Sequence, residues 1–151
     1  MREIDYALGR FDSNSVRELR DVDVRLATIV LVAGARYHAA FPSGRRLRVT
    51  SGRRTTEEQE ALVRDGKSRT MNSHHLDGRA VDLAIIERSP TPQWDGSKVR
   101  AIWDLREFQL LDNFMQKAAT DIGFEPGDLL WGGHWTSLRD GSHWQLMLPP
   151  L

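Results

Sequence analysis

The segment from Arg79 to Ile86 constrains the fold most, because it alternates like a half-buried strand and carries a carboxylate at its centre. One face of this strand presents valine, leucine and isoleucine side chains, whereas the other places Asp82 between two alanines. The apolar face must pack on a core. The two alanines leave space beside the carboxylate for a bulky partner such as an ion. The segment therefore predicts a strand that joins a hydrophobic core to a candidate metal site.

Three helices and two further strands are predicted from the remaining periodicity. Apolar residues recur at helical spacing from Asp21 to Tyr37 and again from Val99 to Ile122, where Gly123 is expected to cap the helix. Because few strands separate the helices, we expect an α+β domain in which helices pack on a small, mostly antiparallel sheet. The other predicted elements are a helix from Thr55 or Thr56 to Arg64 that opens with a capping box to Glu58, strands at residues 47–50 and 143–148, and a surface excursion at residues 87–97.

The composition narrows the class of protein. A length of 151 residues is enough for one domain with a sizeable core, so we expect a single domain over residues 1–151. The absence of cysteine excludes disulfides, thiolate metal sites and cysteine nucleophiles. Lys plus Arg and Asp plus Glu both number 21, so no overall basic field favours nucleic acid. The first residues lack the apolar core of a secretory signal, and the longest apolar stretch, Leu26 to Ala35, is too short to cross a bilayer.

Two histidines complete the candidate metal site around Asp82. His75 precedes Asp82 by seven residues across a glycine-containing turn, and His143 begins the last predicted strand. Two imidazoles and one carboxylate, with a fourth position open, form the pattern of a catalytic zinc site, and such ligands suit zinc better than calcium or magnesium. We therefore predict that these three residues bind Zn²⁺.

Hydrolysis at such a site needs a proton acceptor and a positive donor. Asp140 lies three residues before His143 and is the best-placed carboxylate to serve as general base. Arg53 or Arg54, just beyond a strand end, is the candidate to stabilise an anionic tetrahedral intermediate.

Simpler interpretations exist for each of these features. Adjacent histidines in a polar loop, here His74 and His75, are more often a solvated loop than a metal site. The arginines between residues 45 and 54 are compatible with a nucleic-acid patch, although a solvated strand face with one anion-binding arginine is the commoner meaning at zero net charge. The tryptophans at positions 131, 135 and 144 are expected in the core or in a cleft wall.

A recognisable motif lies across the candidate site. Residues 73–82, SHHLDGRAVD, fit the pattern Ser-x-His-x-x-Gly-x-Ala-x-Asp. This pattern resembles the zinc peptidases that include VanY-like D-alanyl-D-alanine carboxypeptidases, VanX-like dipeptidases and phage L-alanyl-D-glutamate endopeptidases, which share a hedgehog-like fold. Further segments resemble the same group in the same order from Val49 to Leu146, namely residues 51–55, Gln59, Leu62, residues 66–68, 131–135 and 140–145.

The resemblance implies roles for individual residues. It implies that the zinc ligands are His75, Asp82 and His143, and that the base is Asp140. It selects Arg54 as the arginine that steadies the substrate carbonyl and the oxyanion, while Arg53 stands where the group has an aromatic residue. By the same resemblance, Ser73, Gln59 and Trp131 are expected to bind substrate or to hydrogen-bond near the metal loop.

The closing motifs favour one branch of the group. An Asp base with Trp-Gly-Gly-x-Trp resembles the phage endopeptidases more than the VanX-like dipeptidases, whose base is Glu. The resemblance thus implies a monomeric zinc endolysin that cuts the peptidoglycan stem peptide between L-alanine and D-glutamate. It also implies that the protein has no separate wall-binding module. No binding to nucleic acid and no stable association with a membrane are expected. The protein would stay in the host cytoplasm until a holin opens the membrane and then reach the periplasm and cell wall. The alternatives are a D-alanyl-D-alanine carboxypeptidase and a non-catalytic peptidoglycan-binding module.

Overall fold

Four helices and five strands make up the described part of the chain. The computed structural model describes residues 11–42, 44–88, 96, 98–136 and 139–151. The helices are α1 (Ser13–Leu19), α2 (Val24–Ala40), α3 (Thr56–Arg64) and α4 (Leu105–Asp121), and short 3₁₀ turns span His74–Asp77 and Gly132–His134. The strands are β1 (Arg45–Ser51), β2 (Ala80–Arg88), β3 (Val99–Ile102), β4 (Leu129–Trp131) and β5 (His143–Leu146).

All of the strand pairs in the sheet are antiparallel, which confirms the predicted α+β class. β1, β2, β5 and β4 are neighbours in that order, and β3 pairs with the second half of β2. The first half of β2 pairs with β5 in a register that sets Asp82 opposite His143. The sheet itself therefore brings two of the three predicted ligands together.

The core lies between the sheet and the helices α2 and α4, which pack against each other. Val81, Leu83 and Ile85 of β2 are fully buried, as the alternation predicts. Trp144 and Leu146 of β5 belong to the same cluster. Because these side chains point away from Asp82 and His143, burial of one face of the sheet fixes what the other face presents.

The long helix predicted from Val99 was wrong in its first part. Val99–Ile102 is strand β3, and the helix starts only at Leu105, where the Asp104 carboxylate caps it by accepting from the Arg106 N–H at 2.9 Å. Three apolar residues fit a helical period by spacing alone, but pairing with the edge of β2 and a strong N-cap override it. Trp103, counted as part of that helix, is 69% exposed.

The other boundaries follow the sequence more closely. Thr55 and Glu58 form the predicted capping box at the start of α3. Gly123 follows the end of α4 with a φ of 102°, which suits glycine. The last strand ends at Leu146 instead of residue 148, while α1 and β4 were missed because each is too short to establish a period. The predicted excursion begins too early, because Glu87 and Arg88 are the last residues of β2 and pair with β3. Its residues 89–95 and 97 lie outside the described residues.

Among the described residues, no helix is both long enough and apolar enough to cross a membrane.

Candidate active site

His75, Asp82 and His143 converge at one point on the sheet. One ligand-type atom from each lies within 4.8 Å of the other two. Oδ1 of Asp82 is 3.3 Å from Nε2 of His75 and 3.1 Å from Nδ1 of His143. The residues come from a 3₁₀ turn, from β2 and from β5, so the site forms only when the sheet is assembled.

The turn that carries His75 is fixed from several sides. Ser73 caps it, because its Oγ accepts from the backbone N–H of His75 at 3.2 Å. The N–H of Arg54 donates to the carbonyl of His75 at 2.9 Å. Gly78 ends the turn with a φ of 77°, and a Cβ there would lie 2.7 Å from the carbonyl oxygen of Asp21. The positive φ and the close approach to Asp21 both require glycine at this position.

Hydrogen bonds fix which nitrogen of each histidine faces Asp82. Nδ1 of His75 donates to the carbonyl oxygen of Gly52 at 2.7 Å. Nε2 of His143 donates to Oε1 of Gln145 at 2.8 Å. In the neutral rings, Nε2 of His75 and Nδ1 of His143 therefore carry lone pairs toward the carboxylate.

This arrangement fits a bound cation. Nε2 of His75 is buried and makes no hydrogen bond within the described residues, although Asp82 Oδ1 lies 3.3 Å away. Lone pairs that face a carboxylate oxygen at this distance repel each other unless a positive charge lies among them. Two imidazole nitrogens and one carboxylate oxygen are the donor set that suits zinc.

The charges at the site favour an ionised carboxylate. Burial alone would raise the pKa of Asp82, but interactions with His143 and His75 outweigh it and hold the pKa well below its usual range. Burial alone would lower the pKa of His143, but the adjacent Asp82 carboxylate outweighs burial and raises it.

Arg54 lies beside the three residues and is largely committed to holding them. Its Nη2 donates to Asp82 Oδ2 at 3.0 Å, and its Nε donates to Ser51 Oγ at 3.1 Å. Its Nη1 donates to Gln59 Oε1 at 3.1 Å. Arg54 lines both the cleft described below and a neighbouring hollow, whereas Arg53 lines the hollow and not the cleft. Residue spacing alone left open which of the two arginines faces the site, and the geometry favours Arg54.

Gln59 is fully buried, and it connects Arg54 to the loop after α3. Its Oε1 accepts from Arg54, while its Nε2 donates to Ser68 Oγ at 2.9 Å and to the Thr70 carbonyl at 2.8 Å. Every polar atom of this side chain is therefore used within the protein. Gln59 supports the site instead of facing the cleft.

Asp140 lines the same cleft as Arg54. Its Oδ1 accepts from Ser142 Oγ at 2.8 Å, and its backbone carbonyl accepts from the His143 N–H at 3.2 Å. The loop that carries Asp140 packs closely on Gly132, where a Cβ would lie 2.4 Å from the Asp140 carbonyl oxygen. Only glycine at this position allows the approach.

The tryptophans divide between the core and the cleft. Trp131 is 2% exposed, and its Nε1 donates to the Gly141 carbonyl at 2.7 Å, so it braces the Asp140 loop and does not line the cleft. Trp135 does line the cleft, with its ring 5.0 Å from that of His143. Trp131 therefore lies in the core and Trp135 in the cleft wall, the two places expected for the tryptophans.

The cleft above these residues has a volume of about 460 Å³. It is lined by Trp135, Asp140 and Gln145 and by the polar loop from Lys67 to Ser73. Of the adjacent histidines only His75 joins the cluster, since Nδ1 of His74 lies 3.0 Å from the Leu146 carbonyl instead. Gln145 was not assigned a role from the sequence, although its position two residues after His143 on one strand face was a usable signal.

Comparisons with known proteins define the class. Residues 8–145 match the family described as phage L-alanyl-D-glutamate peptidase, and the chain belongs to that family. An L-alanyl-D-glutamate peptidase of Listeria phage A118 is 34% identical over 92 residues, which cover 61% of this chain and 27% of the relative. The match thus spans about a quarter of that relative's length. The crystal structure of the Serratia marcescens L-Ala D-Glu endopeptidase ChiX superposes with a TM-score of 0.69 at 27% identity, over 97% of this chain and 94% of that one.

Proposed function

We propose that this chain is a zinc-dependent peptidase that hydrolyses the bond between L-alanine and D-glutamate in the peptidoglycan stem peptide. The observation that carries the proposal is the convergence of His75, Asp82 and His143 beside Asp140 and Arg54 in one cleft. Membership of the phage L-alanyl-D-glutamate peptidase family supports this choice of bond.

The proposed zinc ligands are Nε2 of His75, Oδ1 of Asp82 and Nδ1 of His143. When bound, zinc supplies Lewis acidity and lowers the pKa of a coordinated water to about 7. Gly52 and Gln145 keep the two rings in the required tautomers by accepting from their other nitrogens. This use of hydrogen bonds to orient ligands is common at metal sites.

Asp140 is proposed as the general base. It faces the cleft with one oxygen held by Ser142, which leaves the other oxygen available to take a proton from the nucleophile and pass it to the leaving amine. Its loop is held by Gly132 and by the indole of Trp131, so the position of the carboxylate is set before substrate arrives.

Arg54 has two proposed tasks. Its bond to Asp82 fixes the ligand carboxylate, and the second hydrogens on its two terminal nitrogens remain to donate to a substrate carbonyl as negative charge develops on the oxygen. The planar guanidinium can serve both partners at once, which an ammonium could not do with the same geometry.

In a phage setting, we propose that the protein acts as an endolysin, which stays in the host cytoplasm until a holin opens the membrane and then attacks the wall. This setting is inferred from the phage peptidases in its family and from the matching Listeria phage protein.

Metal removal tests the proposal. We expect purified protein to contain one zinc per chain and to release soluble peptides from purified peptidoglycan. Chelation should abolish release, and stoichiometric zinc should restore it. Full activity after prolonged chelation, with no metal detected, would contradict the proposal.

A further inference from the structure

The loop after α3 gives the cleft a cationic wall that the proposed catalytic machinery does not use. Lys67 and Arg69 both line the cleft, and both are exposed. Within the described residues, neither makes an ion pair. Arg54, the other strong cation in the cleft, is 3.0 Å from Asp82 and has its charge matched there.

The loop is held in place by bonds that do not depend on Lys67 and Arg69 side chains. The backbone N–H groups of residues 67 and 68 donate to the Leu62 carbonyl at 2.8 and 3.1 Å. Gln59 ties Ser68 and the Thr70 carbonyl to α3 from inside. The two cations are thus presented to the cleft from a fixed segment, and Asp140 lines the same cleft.

Two unmatched positive charges on one wall favour an anionic group on the ligand. The proposed substrate supplies one, because a D-glutamate that continues the peptide through its γ-carboxyl keeps a free α-carboxylate. That carboxylate is attached one carbon from the nitrogen of the bond to be cut. Arg54 is paired with Asp82, and its remaining N–H groups are assigned to the substrate carbonyl, so Lys67 and Arg69 are the cations left to meet this carboxylate.

We infer that Lys67 and Arg69 form a carboxylate-recognition subsite, which binds an anionic group of the peptide on the leaving side of the cut bond. The inference rests on the proposed function and adds a specificity determinant to it. The α-carboxylate of D-glutamate is the favoured source, and a carboxylate on the following residue is the other source with the same chemistry.

Three synthetic peptides separate the sources. All begin with acetyl-L-alanine, and their kcat/KM values are measured with the zinc-loaded protein. The first has a free D-glutamate α-carboxylate and an amidated following lysine. The second has both groups amidated. The third has an amidated α-carboxyl and a free carboxylate on the lysine.

We expect the native protein to cleave the first peptide with a kcat/KM roughly tenfold higher than that of the second. This ratio lies between the effect expected of an exposed ion pair and that of a hydrogen bond to a charged group. The double variant Lys67→Ala, Arg69→Ala should lose this preference through KM while cleaving the second peptide at the native rate. A preference for the third peptide that disappears in the same variant supports the subsite with the other source. Arg64→Ala, an exposed cation of α3 that does not line the cleft, is the matched control and should retain the preference.

Equal cleavage of all three peptides by the native protein would overturn this inference and leave the proposed function standing. A preference that persists in the folded double variant would overturn it as well, since other residues would then recognise the carboxylate. Cleavage of none of the peptides would contradict the proposed function and the inference together.

Discussion

Nη2 of Arg54 donates to Oδ2 of Asp82 at 3.0 Å, while Oδ1 of the same carboxylate faces His75 and His143. One carboxylate is therefore shared between a guanidinium and the two imidazoles. This sharing links the residue proposed to act on the substrate carbonyl to the residue proposed to hold zinc. A change at Arg54 should consequently affect both.

Arg54→Ala should lower the peptidase rate by about 10²–10³-fold through loss of oxyanion stabilisation. It should also weaken zinc binding by about 10–100-fold, because the ligand carboxylate loses its orienting partner. Arg54→Lys keeps the charge but not the three-way hydrogen bonding, so it should retain part of each property. Zinc titration and peptide release on the same preparations test this. Unchanged zinc affinity in the alanine variant would show that the bond to Asp82 does not orient the ligand.

His75→Ala and His143→Ala should each lose zinc and activity, because each removes one of three proposed ligands. His74→Ala is the matched control, since its ring contacts the Leu146 carbonyl outside the cluster, and it should retain most of both. Metal content by elemental analysis and the rate of peptide release are the measurements. Retention of zinc in the His75 variant together with its loss in the His74 variant would mean that the ligand is the other member of the pair.

Asp140→Asn should retain zinc and the native melting temperature, while turnover falls by about 10²–10⁴-fold, the usual worth of general acid–base catalysis. The substitution is nearly isosteric and keeps an acceptor for Ser142, so packing changes little. Release of zinc by this variant would make Asp140 a ligand. Cleavage at the native rate would place the base elsewhere.

Gln145→Leu should lower zinc affinity by about 10–100-fold, because Nε2 of His143 loses the oxygen that fixes its tautomer. Gln145→Glu retains an oxygen acceptor at this position and should bind zinc more tightly than the leucine variant. Competition with a chromophoric chelator gives both affinities. Equal zinc affinity in the native protein and the leucine variant would remove Gln145 from the site.

The parts of the site that could be predicted are those fixed by strand alternation. The two faces of β2 follow from the sequence alone, and they place Asp82 opposite the core. The pairing of Asp82 with His143 follows from sheet register, which single-strand patterns do not specify. The burial of Gln59 depends on where the loop after α3 folds back, so it could not be predicted from the neighbouring residues in the sequence.

The main error in the predicted fold also arises because local sequence patterns do not specify long-range pairing. Val99–Ile102 fits a helical period when considered locally, but its pairing partners on β2 are more than ten residues away in the sequence. Tertiary pairing decided the outcome, and the Asp104 cap marks the true start of α4.

Mass spectrometry of the fragments released from purified peptidoglycan by the zinc-loaded protein tests the central claim most directly, with the His75→Ala variant as control. The account predicts peptide fragments with a new amino terminus on D-glutamate. It also predicts glycan strands whose peptide stems are shortened to L-alanine. Both products should be absent from the control. Release of terminal D-alanine instead, or the same fragments from the His75 variant, would contradict it.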